Sequence, residues 1–213
     1  MKKDITNLFV LLDDFCNSVD FTMKSRLIKD NQKIKRVTRK TEMSISEMLS
    51  IILLYQQSPC KNFKYFYNSY LTLYKLDFPK LVTYERFIAL KPRSMMHLCA
   101  LLEMLTSCSK KTGISFIDAT KLNVCHAKRT SQNKVFKGLA KIGKSSMGWF
   151  YGFKLHLVIN DIGEIQSVRL TQGNVDDRSP VENMLKKFTG IIFGDKGYIS
   201  SKLTKNLREK GIK

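Results

Sequence analysis

Acids are scarce in this sequence, cysteines are unpaired, and long apolar runs are missing. Asp and Glu number 18 against 37 Lys and Arg over 213 residues, for a formal charge of +19 and a pI near 9.8. Such a surplus sets the chain apart from an ordinary near-neutral soluble enzyme and attracts polyanions; counterion release from phosphates then supplies affinity that falls steeply with salt. Split at Thr112, the chain carries 19 basic and 10 acidic residues before that point and 18 and 8 after it, so the surplus is not a tail on a neutral body. Nucleic acid is the partner this favours, over a surface of acidic lipid. Cys16, Cys60, Cys99, Cys108 and Cys125 are widely spaced, odd in number and without a CxxC pair or a His at zinc spacing, which points to reduced thiols and a cytoplasmic protein. No run approaches the roughly 18 apolar residues of a spanning helix, and the opening Met1-Lys2-Lys3-Asp4-Ile5 lacks the form of a signal peptide, so no membrane partner is expected.

With 43% hydrophobic residues the chain can bury a core, and its two halves differ in pattern. Ile5, Leu8, Phe9, Leu12, Phe15, Cys16 and Val19 recur at helical spacing, predicting a packing helix over residues 5–20. A basic connector follows (Lys24, Arg26, Lys29, Lys33, Lys35, Arg36, Arg39, Lys40), readable as a solvated charge run or as a phosphate contact. Ser44-Ile45-Ser46-Glu47 has capping-box spacing and opens a helix that Pro59 closes. Phe63, Phe66, Tyr67, Tyr70 and Tyr74 recur at i, i+3, i+4; interleaved lysines permit a stacking surface for single strands, but the spacing favours a core face. A short helix is predicted after Thr83, through Leu90, and a longer one after Pro92, toward Ser107. Together these make residues 1–112 an all-α region resembling a helix-turn-helix-type DNA-binding unit in outline.

From residue 113 the pattern turns to β. Ile114-Ser115-Phe116-Ile117 predicts a buried strand closed by Asp118, and Ile191-Ile192-Phe193-Gly194 another closed by Asp195. Residues 121–144 read as a basic, acid-free loop over the site, with Lys128, Arg129, Lys134 and Lys137 as candidate phosphate contacts. Trp149 to Ile159 predicts a long strand, Asn160-Asp161-Ile162-Gly163 a turn, and Glu164 to Leu170 its hairpin partner. Ser179-Pro180 is expected to open a helix through Leu185, with Asp176 and Asp177 before it as either caps or metal ligands. Carboxylates converging at the ends of buried strands are costly unless divalent cations neutralise them, and such sites serve phosphodiester chemistry. Lys154 and His156 share a strand face; phosphate contact competes there with a purely structural His. Lys196 and Tyr198, next to Asp195, are read either as positioning DNA or as packing.

Phe116-Ile117-Asp118-Ala119-Thr120, Gly152-Phe153-Lys154-Leu155-His156, Leu170-Thr171-Gln172-Gly173-Asn174-Val175-Asp176-Asp177 and Gly194-Asp195-Lys196-Gly197-Tyr198, in that order, resemble the catalytic domain of DDE transposases from bacterial insertion sequences. The resemblance covers residues 113–213. It implies an α+β chain in which an N-terminal all-α region precedes an incomplete ribonuclease H-like mixed β-sheet with flanking helices. It also implies Mg²⁺ or Mn²⁺ held by Asp118 and Asp195, DNA as partner, and homo-oligomeric assembly of the full-length form. The family's third acid, a downstream Glu, has no counterpart: Glu209 lies in the helix just after the second Asp, out of place for that role. The expectation is therefore a chain cut short by a stop or frameshift, or one half of a split product, with apolar sheet surface left exposed.

Overall fold

The computed structural model describes residues 4–29, 42–145 and 148–213, and divides into two compact units, Met1–Leu102 and Glu103–Lys213. Lys33, Lys35, Arg36, Arg39 and Lys40 of the basic connector lie outside the described residues.

The first unit holds α1 (Thr6–Lys29), α2 (Ile45–Gln57), α3 (Phe63–Asn68) and α4 (Tyr84–Leu90), and α5 (Met95–Cys108) begins in it. The predicted capping box forms: the Ser44 hydroxyl accepts from the Glu47 amide at 3.1 Å, and the Glu47 carboxylate accepts from the Ser44 amide at 2.6 Å. Aromatic residues of α3 and the following 3₁₀ turn (Tyr70–Tyr74) fill the core rather than a surface. Phe66, Tyr67 and Tyr74 are buried, Tyr67 and Phe87 have ring centroids 4.9 Å apart, and the Tyr67 hydroxyl donates to the Val82 carbonyl at 2.8 Å. Polar ties fix α1: Asp13 accepts from Ser46 at 2.6 Å, and Asp20 lies 3.0 Å from His97 Nε2. No helix among the described residues is long and apolar enough to cross a membrane.

The second unit is a mixed five-stranded sheet with helices on one face, consistent with a ribonuclease H-like fold. Its strands are β1 (Ile114–His126), β2 (Lys141–Ser145), β3 (Gly148–Asn160), β4 (Ile165–Gln172) and β5 (Ile191–Gly194). β3 is the hub. It pairs antiparallel with β1 along one edge, while β2 and β4 take successive halves of its other edge, and β5 joins the far side of β1 in parallel. Beyond β5, Ile212 and Lys213 continue the sheet, with Lys213 N–H donating to Gly190 O at 2.9 Å and Ile192 N–H to Lys213 O at 2.8 Å.

Residues 121–144 are not the expected loop. β1 runs on to His126, a 3₁₀ turn covers Ala127–Gln132, and Lys141–Ser145 form β2. The reason lies in pairing: Ala119 through His126 find partners on β3, with one extra residue bulged at Val124. Gly152 opposite makes room for this, since a Cβ there would sit 2.0 Å from the Leu122 carbonyl oxygen. Two helices, α6 (Val181–Met184) and α7 (Ser201–Glu209), cover the sheet face that presents Ile117 and Val158, burying Val181, Leu185, Leu203, Leu207 and Ile212. The opposite face keeps Ile114, Phe116, Leu122, Leu170, Ile191 and Phe193 exposed.

Candidate active site

The β1/β5 register builds the site. Ile114–Ile117 pair in parallel with Ile191–Gly194, the last pair being Ile117 with Gly194. Asp118 and Asp195 each follow one residue after that last pair, so the register relates two positions that are 77 residues apart in sequence. Alternation puts Asp118 on the face of Phe116, whose ring stacks on that of Phe193 with centroids 5.6 Å apart, whereas Asp195 lies past the end of β5 and borders the cavity under the helices. Asp118 is thus a mid-strand residue, not a strand-end one, and its position owes nothing to a turn. Asp195 instead leaves the sheet and caps the 3₁₀ turn Lys196–Tyr198, accepting from the Lys196 amide at 2.5 Å. Both acids are exposed, and among the described residues no hydrogen bond or ion pair engages the Asp118 carboxylate.

Behind these acids, on the helix-covered face, lies a second polar layer. The Lys154 ammonium is 2.9 Å from Asp177 Oδ1 and donates to the Val175 carbonyl at 2.9 Å, clamping the 173–178 segment onto β3. Its side chain is 14% exposed, so the cation expected to meet phosphate is instead committed inside the unit. His156, two residues along the same face, is fully buried, with Nε2 2.8 Å from Thr171 Oγ1. The Tyr198 ring packs over Gly194, where a Cβ would lie 3.3 Å from it, and its hydroxyl is buried without a hydrogen-bond partner among the described residues. Burial pushes that phenol well above its ordinary range, and Asp177, Asp118 and Asp195 push it further, so three carboxylates act on one hydroxyl.

Neither Asp176 nor Asp177 caps α6, but the expected turn cap forms at Asp176. α6 starts at Val181 after Pro180, with no side-chain cap, four residues beyond the expected role. Asp176 instead accepts from the Arg178 side chain at 2.9 and 2.6 Å and from its backbone amide at 2.9 Å, which holds its carboxyl well below the usual range. Lys128, Arg129, Lys134, Lys137 and Lys196 are exposed, as phosphate contacts require. Glu209 is the last residue of α7 and is exposed. Among the described residues no group of three His, Cys, Asp or Glu side chains is arranged to hold a metal. A 620 Å³ cavity beside Asp195 is walled by Ile117, Val181, Leu203, Leu207 and Ile212; it belongs to the apolar helix face and suits neither phosphate nor metal. What the sequence did not disclose is the Lys154–Asp177 clamp. Its one signal was that Lys154 and His156 share a face with nothing apolar between them.

His156 makes the unit acid-sensitive. Burial lowers its pKa below the ordinary 6.5, partly opposed by Asp177. In the unfolded chain it takes up a proton near that ordinary value, so stability is intact above pH 6.5 and drains away as pH falls through 6.5 toward the lowered folded value. The urea midpoint is expected to drop between pH 7 and pH 5, and His156→Gln to flatten that dependence; an unchanged slope in the variant would assign the sensitivity elsewhere.

Residues 108–213 match a family model described as transposase DDE domain, a span that contains Asp118, Asp195 and the whole second polar layer. A comparison with curated proteins returned no match.

Proposed function

Because this chain belongs, over residues 108–213, to the transposase DDE domain family, we propose that it is the transposase of an insertion sequence, cleaving phosphodiester bonds at the element's ends and transferring the strands with Mg²⁺ or Mn²⁺. The observation that supports this reading is the parallel β1/β5 register, which ends one residue before Asp118 on one strand and one residue before Asp195 on the other, with both carboxylates exposed. Two hard oxygen donors fit such cations, and Asp118 has no competing partner among the described residues. Bound there, the cations would neutralise charge on the attacking and leaving oxygens of an in-line displacement at phosphorus. The chain's own residues supply the rest. Asp118 is held by its pairing with Leu157 of β3, and Asp195 by its cap to Lys196, so both donors are positioned before any ligand arrives. Lys128, Arg129, Lys134, Lys137 and Lys196 supply sequence-independent contacts to the DNA backbone, the helical region over residues 1–112 adds accessory DNA binding, and copies of the protein synapse element ends as a homo-oligomer.

The test is metal-dependent nicking of DNA that carries the element's own ends, alongside binding measured as a function of salt. The expected result is nicking with Mg²⁺ or Mn²⁺, none with chelator, and binding that weakens steeply as salt rises. A second reading, a DNA-binding protein that does not cut, is favoured by the lack, among the described residues, of any group of three side chains suited to hold a metal; salt-sensitive binding without nicking would select it.

A further inference from the structure

Trp149 is the chain's one tryptophan, and it stands 61% exposed near the start of β3. Rings of this size are usually largely buried, and one left in water invites a partner. Its cross-strand neighbour is Lys144 of β2, whose ammonium lies 5.7 Å from the indole centroid, so one face of the ring is braced by a cation. The surroundings are uniformly basic: between Asp118 and Asp161 the chain has eight Lys or Arg and no acid. An aromatic plate among cations is the pattern that binds nucleobases, the ring stacking on the base while ammonium groups meet the flanking phosphates. Inside a duplex both faces of each base are already covered by neighbours, so the plate selects a base that is unpaired, terminal or extruded.

β3 also gives the distance from this plate to the carboxylates. Trp149 and Leu157 fall on the same side of β3 in its alternation, and Leu157 pairs directly with Asp118. Eight residues of strand span about 27 Å at roughly 3.3 to 3.4 Å each. DNA rises about 3.4 Å per nucleotide, so that span corresponds to roughly eight nucleotides. We propose that Trp149, backed by Lys144, stacks on an unpaired base of the bound DNA roughly eight nucleotides from the phosphate held at Asp118 and Asp195. The proposal rests on the DNA reading given above and adds to it a site with a defined ligand, the face of a single base.

A lone tryptophan makes its own emission the probe. Full-length chain is titrated with three labelled oligonucleotides: a single strand, a duplex with one unpaired thymidine, and the same duplex fully paired. Label anisotropy reports binding and tryptophan emission reports stacking. The expected result is strong quenching by the first two and little by the third. Trp149→Ala is expected to weaken the unpaired-base complexes by roughly 5- to 150-fold while leaving the paired duplex nearly unchanged, with Trp149→Phe intermediate. Binding of all three DNAs with unquenched emission, or equal quenching by the paired duplex, would overturn the stacking site and leave the DNA reading standing. No anisotropy change with any DNA at low salt would remove both.

Discussion

Replacing Asp118 by Asn is expected to abolish metal-dependent nicking while leaving the thermal midpoint of the chain unchanged. The size of the effect follows from what the carboxylate does. A cation positioned at a reacting phosphate contributes several kcal/mol of transition-state stabilisation, so losing half of its protein ligands costs on the order of a thousandfold in rate. Stability is spared because the Asp118 carboxylate is exposed and makes no hydrogen bond or ion pair among the described residues, whereas its backbone, paired with Leu157 of β3, is unaltered by the swap. Asp195→Asn should lose activity equally, and its amide oxygen can still accept from Lys196, so its fold is kept as well. Asp161→Asn, in the hairpin turn, is the control and should be unaffected. Nicking that survives Asp118→Asn would place the chemistry elsewhere, with the Asp177 layer the next region to examine.

Gly152→Ala is expected to have the largest effect on stability of any single substitution considered. The new methyl group would stand 2.0 Å from the Leu122 carbonyl oxygen and 3.2 Å from the Val124 amide nitrogen, both backbone atoms of the β1 bulge that cannot swing aside. Relief requires β1 and β3 to part where the hub strand is paired on both edges. A cost on the order of 3 to 5 kcal/mol is appropriate to strain of this kind, which for a unit of this size lowers its thermal midpoint by roughly 15 °C or more. Gly197→Ala, where a Cβ meets nothing within 4 Å, is the matched control. Calorimetry of the two variants beside the parent decides the matter; equal midpoints would show that the bulge yields.

Much of the architecture was legible because local signals agreed with it. Ser44 and Glu47 announced a helix start that tertiary contacts did not need to create, and the helical spacing of Phe66, Tyr67 and Tyr74 told a core face from a stacking surface. The β3–β4 hairpin was legible for a similar reason, since Asn160 to Gly163 can only turn back on itself there, with Gly163 at φ +84°. Asp118 and Asp195 were visible as acids following apolar runs, and the match over residues 108–213 gives that pattern its family. What failed to show were features decided by partners distant in sequence. Lys121, Asn123 and Lys144 read as loop because they are polar, yet they sit in strands whose ladder is supplied by β3. Asp177 read as a cap because a Ser-Pro pair follows it, whereas its partner, Lys154, stands on another strand.

The parallel seam between β1 and β5 also orders events in time. β1, β3 and β4 follow one another closely and zip as a meander, but β5 has to close a far longer stretch of chain, and entropy makes that closure slow. During synthesis and after every partial unfolding, the molecule therefore passes through an interval in which most of its sheet exists and Asp118 stands alone. The proposed metal-binding pair would then exist only once the β1–β5 seam has closed.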